Sequence, residues 1–211
     1  VAARYVAATA FIRVAARYKK KKKVRSEDGG TTTVYVYSEK QIQHRNREKA
    51  KRIQKLSKGI QGLRSKVKKD LKSSDPEVML TALAVGLMDH TYERVGNSGS
   101  AEDGHFGVTG WKRSHVSFGK GGVSIKYVGK SGVKQVKKVT DKAIQSALRD
   151  AYEADEDGEL FAWDGGRVTA DKVNSYLKEF DITAKDIRGY HANAEMQKKL
   201  KAARSGKLPE D

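Results

Sequence analysis

Cysteine is absent from the 211 residues. Without thiols the chain cannot build a disulfide scaffold, use thiol catalysis, or hold zinc or an iron–sulfur cluster through cysteine. Long apolar runs are missing as well. No stretch approaches the roughly 18 uninterrupted apolar residues of a spanning helix, and the Ala/Val-rich residues 1–18 are broken by Arg4, Arg13 and Arg17, so no membrane span is expected. Neither a P-loop, a dinucleotide fingerprint, a metalloprotease helix nor a nucleophile elbow occurs. His44, His90, His105 and His115 are dispersed without metal-ligand spacing, and no metal or cofactor is expected. With 33% charged and 37% hydrophobic residues, the expected class is a soluble globular protein.

What the chain does have is positive charge, unevenly placed. Its net charge is +17, and residues 1–73 carry 22 Lys and Arg against 5 Asp and Glu, so the remainder is neutral. A cationic segment joined to a neutral one fits an anionic polymer, because each cation set against a phosphate releases a condensed counterion. Duplex DNA or RNA leads, with an anionic membrane surface behind it.

The chain begins with Val, and VAARY occurs at residues 1–5 and 14–18, so the native start is expected upstream. The five-lysine run at 19–23 is expected to stay extended, residues 26–30 to turn, and Thr31 to Tyr37 to form a short strand. Ser38 and Gln41 suggest a helix cap. Ile53, Leu56, Ile60, Leu63 and Val67 then line one helical face, while Lys51, Arg52, Lys55, Lys58, Arg64, Lys66 and Lys68 occupy the other. Asp75-Pro76 opens an apolar helix through Met88, and the domain boundary is placed just before it. Short strands are expected around Val108, 115–118, 123–128 and 133–139, with GKGG and GKSG as turns. Helices follow from Thr140-Asp141, Thr169 and Thr183. Between the first two, the acidic residues 153–159 read as a solvated loop, since they lack the length and distal glutamate of a calcium loop. The fold class expected is α+β: a mainly helical domain with a small antiparallel sheet, preceded by a smaller basic module.

Three cations of the C-terminal part stand in unusual settings: Arg94 at the end of an apolar helix, Lys130 in a glycine-flanked turn, and Arg188 three residues after Lys185. Singly, each reads as ordinary helix-end, turn or surface charge. Together and in order, RVGN (94–97), HFGVTGWKRSHV (105–116), IKYVGKSGV (125–133) and AKDIRGYHA (184–192) resemble the successive motifs of the type IB DNA topoisomerases, particularly the poxvirus-like and bacterial members. The likeness covers roughly residues 31–211.

The resemblance implies a chemistry. A tyrosine attacks a DNA phosphodiester, a 3′-phosphotyrosyl link forms, a 5′-hydroxyl leaves, the strand swivels, and the reverse step reseals it, without metal or ATP. Charge gathers on the non-bridging oxygens of the phosphorane, where planar guanidinium groups stabilise it. By resemblance Arg94 and Arg188 take that role, Lys130 is the general acid for the leaving oxygen, and Lys185 assists at the phosphate. Residues 31–74, with Lys51, Arg52, Lys55, Lys58, Arg64 and Lys66, form a DNA-clamping module, residues 75–211 the catalytic core, and Lys112 and Arg113 further DNA contacts. The expected state is a monomer acting as a clamp on double-stranded DNA, inside the cell.

Several positions depart from the family pattern. Gly110-Trp111 stands where members carry Leu or Thr-Leu, and Gly189 where Thr follows the second arginine. Tyr190 and His191 come too early for the family's nucleophile and its assisting histidine, so both are expected beyond Asp211, and this chain alone is expected to bind DNA without cleaving it. A tyrosine recombinase uses the same cations but usually has His where Lys185 stands. A non-catalytic DNA-binding protein is the alternative of another class.

Overall fold

The computed structural model describes residues 20–25, 29–154 and 158–205. The VAARY duplication, most of the 26–30 turn and the centre of the acidic loop lie outside them. Contacts divide the chain into two compact units, residues 1–51 and 52–211.

In the smaller unit, β1 (Lys20–Arg25) pairs antiparallel with β2 (Thr31–Val36). Lysines 20–23 of the run are therefore extended as expected, but hydrogen-bonded in a ribbon. Helix α1 (Glu39–Asp70) begins where Ser38 and Gln41 exchange hydrogen bonds: the Gln41 amide oxygen accepts from the Ser38 N–H at 2.9 Å, and the Ser38 hydroxyl from the Gln41 N–H at 3.3 Å. The helix runs on into the larger unit, where its apolar stripe of Leu56, Ile60, Leu63 and Val67 is buried.

Asp75 caps α2 (Pro76–Thr91), its carboxylate accepting from the N–H groups of Glu77 and Val78. Apolar on nearly every side from Leu80 to Met88, α2 is the buried axis of the core. It ends earlier than the sequence suggests. Tyr92 adopts a left-handed conformation (φ 62°), closing the helix through its N–H to the Met88 carbonyl, so Arg94 lies in the irregular segment beyond.

A short helix α3 (Ser98–Glu102) leads to the 3₁₀ turn Val108–Gly110, where a strand was expected around Val108. The N–H groups of Val108 and Thr109 bond instead to the carbonyls of Arg94 and Val95, at 2.9 and 2.8 Å. Strands β3 (Val116–Gly119), β4 (Gly122–Val128) and β5 (Lys134–Val139) form an antiparallel sheet in that order. Helix α4 (Lys142–Ala154), the two-residue strands β6 (Ala162–Trp163) and β7 (Gly166–Arg167), α5 (Ala170–Leu177) and α6 (Ala184–Arg204) complete the chain. Only the start of α6 packs: Ala184, Asp186, Ile187 and His191 are buried. Trp111 is a core residue tilted against Tyr127 with ring centroids 5.2 Å apart. Among the described residues no helix is long and apolar enough to cross a membrane.

Candidate active site

The segment after α2 is held by a close backbone crossing. Gly96 (φ +94°) passes Gly107 so tightly that a Cβ on Gly107 would lie 2.5 Å from Gly96 backbone and 2.7 Å from the Arg94 carbonyl oxygen. The two hydrogen bonds from Val108 and Thr109 fasten the same crossing, and the Thr109 hydroxyl adds a third to the Val95 carbonyl at 2.9 Å. RVGN and HFGVTG are thus two halves of one backbone clasp, with Arg94 projecting from it.

Lys130 sits at the other wall. Between β4 and β5 the chain turns through Lys130–Gly132, with Ser131 at φ 62° and Gly132 at φ 74°. The Gly129 N–H closes the turn on the Val133 carbonyl at 2.8 Å. The third wall is the first turns of α6. Its capping box is built by Thr183 and Asp186, whose buried carboxylate accepts from the Thr183 N–H and hydroxyl. Lys185 and Arg188, three apart, then share one face.

Arg94, Lys130, Lys185 and Arg188 all line one cleft of about 680 Å³, together with Glu93, Asn97, Ser100, His105 and Phe106. Among the described residues none of the four makes an ion pair. Arg188 is oriented through Nε, which donates to the Tyr92 carbonyl at 2.9 Å, leaving its two terminal amino groups for a ligand. The cleft's carboxylate, Glu93, is engaged by Lys137 at 2.8 Å. Burial pushes the Glu93 carboxyl up, but hydrogen bonds from Lys137 and Tyr127 and the Lys137 charge outweigh it, so Glu93 is ionised and its charge is met by Lys137. An unpaired cationic cleft of this kind is complementary to a phosphate.

The basic residues of α1 go elsewhere. Arg52 pairs with Asp186, Lys55 with Asp181, Arg64 with Asp89, and Lys66 with Asp70 and Glu179. Lys51 pairs with Glu48 inside the smaller unit. Lys58 is exposed and makes no ion pair among the described residues. Lys112 and Arg113 do not line the cleft; their charged ends lie over the rings of Phe106 and Tyr152, at 5.9 and 4.4 Å. Much of the cationic face of α1 thus fastens that helix to the core.

The catalytic core of eukaryotic DNA topoisomerase I matches residues 38–210. The chain belongs to this family. A solved structure, XerH site-specific recombinase bound to difH substrate in a pre-cleavage complex, is similar over 83% of this chain and 49% of that one, with 14% identity and a TM-score of 0.44. The chain thus spans about half the length of that recombinase. Among curated proteins no relative matches.

In this topoisomerase I core the sequence did not reveal what supports Arg188. His191 Nε2 lies 2.8 Å from Asp89 Oδ1, Asp89 also accepts from Arg64 at 2.7 Å, and Tyr92 stacks on the His191 ring at 4.0 Å. Asp89 therefore ties α1, α2 and α6 together beneath the Tyr92 carbonyl. Burial raises the Asp89 carboxyl, but hydrogen bonds from His191 and Arg64 bring it below its ordinary value. A depressed carboxyl stabilises the fold above the ordinary Asp range and loses that contribution as pH falls through it. Asp89→Asn is expected to lower the melting temperature at pH 7 and to narrow the gap between pH 7 and pH 3, read by thermal unfolding at both. An unchanged gap would remove Asp89 from the acid response.

Proposed function

We propose that this core serves the relaxation of supercoiled duplex DNA by a type IB topoisomerase, the nucleophilic tyrosine not being one of the residues described. The observation that carries the reading is that four cations from three distant segments, at 94, 130 and 185–188, line one cleft. A tyrosine hydroxyl oxygen attacks the phosphorus as its proton passes to water, the bond to the 5′ oxygen breaks, and the Lys130 ammonium delivers the proton that oxygen needs. Arg94 and Arg188 hold the non-bridging oxygens while charge builds on them, with Lys185 beside them. Religation reverses each transfer.

Tyr127 is not the nucleophile. Its side chain is buried in the core and does not line the cleft, and burial, then the neighbouring Glu93 carboxylate, raises its phenol above the ordinary tyrosine value. In this reading residues 31–74 supply contacts to the DNA backbone, including Lys51 and Lys58, and residues 75–211 carry the chemistry. Contacts to phosphates position a duplex without selecting sequence.

The test is a plasmid assay on the full-length protein without ATP or added metal. Stepwise relaxation of one supercoiled plasmid is expected. Strand exchange between paired sites with no relaxation would assign the cleft to a recombinase, and duplex binding with no cleavage would assign it to a non-catalytic DNA-binding protein.

A further inference from the structure

Among the described residues other than glycine, Tyr92, Ser131 and Asp181 have a positive φ. Ser131 and Asp181 are small and stand in turns, whereas Tyr92 is bulky, and a bulky side chain is strained in that region. Glycine at this place would close α2 without strain. Burial in the core does not explain the tyrosine either, since its side chain is 48% exposed.

What does hold Tyr92 is α6, which grips it at two points one turn apart. Arg188 Nε donates to the Tyr92 carbonyl at 2.9 Å, and three residues on, the His191 ring stacks on the Tyr92 ring with centroids 4.0 Å apart and planes 26° from parallel. The His191 ring is itself fixed. It is buried, its Nε2 lies 2.8 Å from Asp89 Oδ1, and Tyr190 packs edge-on against it at 5.0 Å. Ring and carbonyl of one strained residue are thus both tied to the helix that carries Arg188.

We propose that Tyr92 is a positioning residue for Arg188: its stacked ring fixes the left-handed backbone, whose carbonyl holds Nε and so aims the two terminal amino groups into the cleft. The effect on cleavage rests on the topoisomerase reading; the positioning itself does not. With glycine at this place the backbone is free to visit both signs of φ, and the carbonyl loses its fixed direction.

Single-turnover cleavage and duplex affinity of the full-length protein test this, each variant being measured at a temperature where it is folded. Tyr92→Gly is expected to slow cleavage by ~10- to 100-fold, a misplacement of about 1 Å being worth ~100-fold. Its duplex affinity should stay near the parent's, and its melting temperature should too, because glycine relieves the left-handed backbone as the stack is lost. Tyr92→Phe keeps the ring and should keep the rate. His191→Gln keeps an N–H donor for Asp89 but not the ring, and should slow cleavage as Tyr92→Gly does. Parent-like cleavage by Tyr92→Gly overturns the proposal, as does a Tyr92→Phe variant equally slow, or a fall in affinity that matches the fall in rate. A second readout needs no cleavage. Followed by nitrogen NMR of the same protein, the Arg188 Nε–H should exchange slowly with water in the parent and faster in Tyr92→Gly; equal exchange overturns the proposal. If the parent leaves duplex DNA uncut, the topoisomerase reading falls, and this exchange rate alone decides for or against Tyr92.

Discussion

Lys130→Ala in the full-length protein is expected to slow cleavage of duplex DNA by ~100- to 1000-fold while leaving duplex affinity nearly intact. The reason lies in when the residue acts. Lys130 occupies a turn at one wall of the cleft, and its proton is needed only as the 5′ oxygen leaves, so its contribution falls on the transition state and not on binding. Arg188 should behave differently from an ordinary phosphate contact for a geometric reason. Its Nε is committed to the Tyr92 carbonyl, and its two terminal amino groups remain for paired hydrogen bonds to a phosphate. Arg188→Lys should therefore rescue little of the loss seen in Arg188→Ala, because one ammonium cannot hold the carbonyl and two oxygens together. Single-turnover cleavage, measured beside equilibrium binding, separates these cases. A Lys130→Ala variant whose affinity falls in step with its rate would reassign Lys130 to positioning the duplex.

How much of this could be read from the residues depended on the distance over which each feature is determined. The Leu56–Ile60–Leu63–Val67 stripe and the Asp75-Pro76 start are local patterns, and the structure follows them. Arg94 was expected at a helix end because α2 is apolar up to that point, yet Tyr92 closes the helix in a left-handed conformation that no neighbouring glycine announces. Val108 looked like a strand residue because it is β-branched. Its N–H pairs with a carbonyl 14 residues earlier, and a 3₁₀ turn results. The cationic face of α1 misleads for the same reason. Its partners Asp181 and Asp186 come 126 and 134 residues later, so a stripe that looks free in sequence is largely paired in space. Spacing could not show that Arg94, Lys130, Lys185 and Arg188 share a cleft. Motif order suggested it, and the Gly96–Gly107 crossing makes it possible for Arg94.

That crossing gives the largest stability effect expected of a single added methyl group. Gly107→Ala should destabilise the larger unit by about 3 kcal/mol, the upper end of the usual overpacking range, and lower its melting temperature by roughly 6–12 °C. Backbone strain is not the cause: Gly107 has φ −122° and ψ −176°, a conformation any residue adopts. Space is. The new Cβ would meet the Cα and N of Gly96 at 2.5 Å and the Arg94 carbonyl oxygen at 2.7 Å, all backbone atoms that cannot rotate aside as a side chain would. Relief requires the two segments to part, which stretches the Val108 to Arg94 and Thr109 to Val95 hydrogen bonds and displaces Arg94 from the cleft. Even at a temperature where the variant is folded, a shift of about 1 Å at Arg94 should slow cleavage ~100-fold. Gly59→Ala provides the contrast. Gly59 lies within α1 with nothing near its would-be Cβ, and alanine there should add up to ~1 kcal/mol through helix propensity. If thermal unfolding finds Gly107→Ala no less stable than the parent, the clasp is looser than described, and the placement of Arg94 must rest on something other than the two glycines.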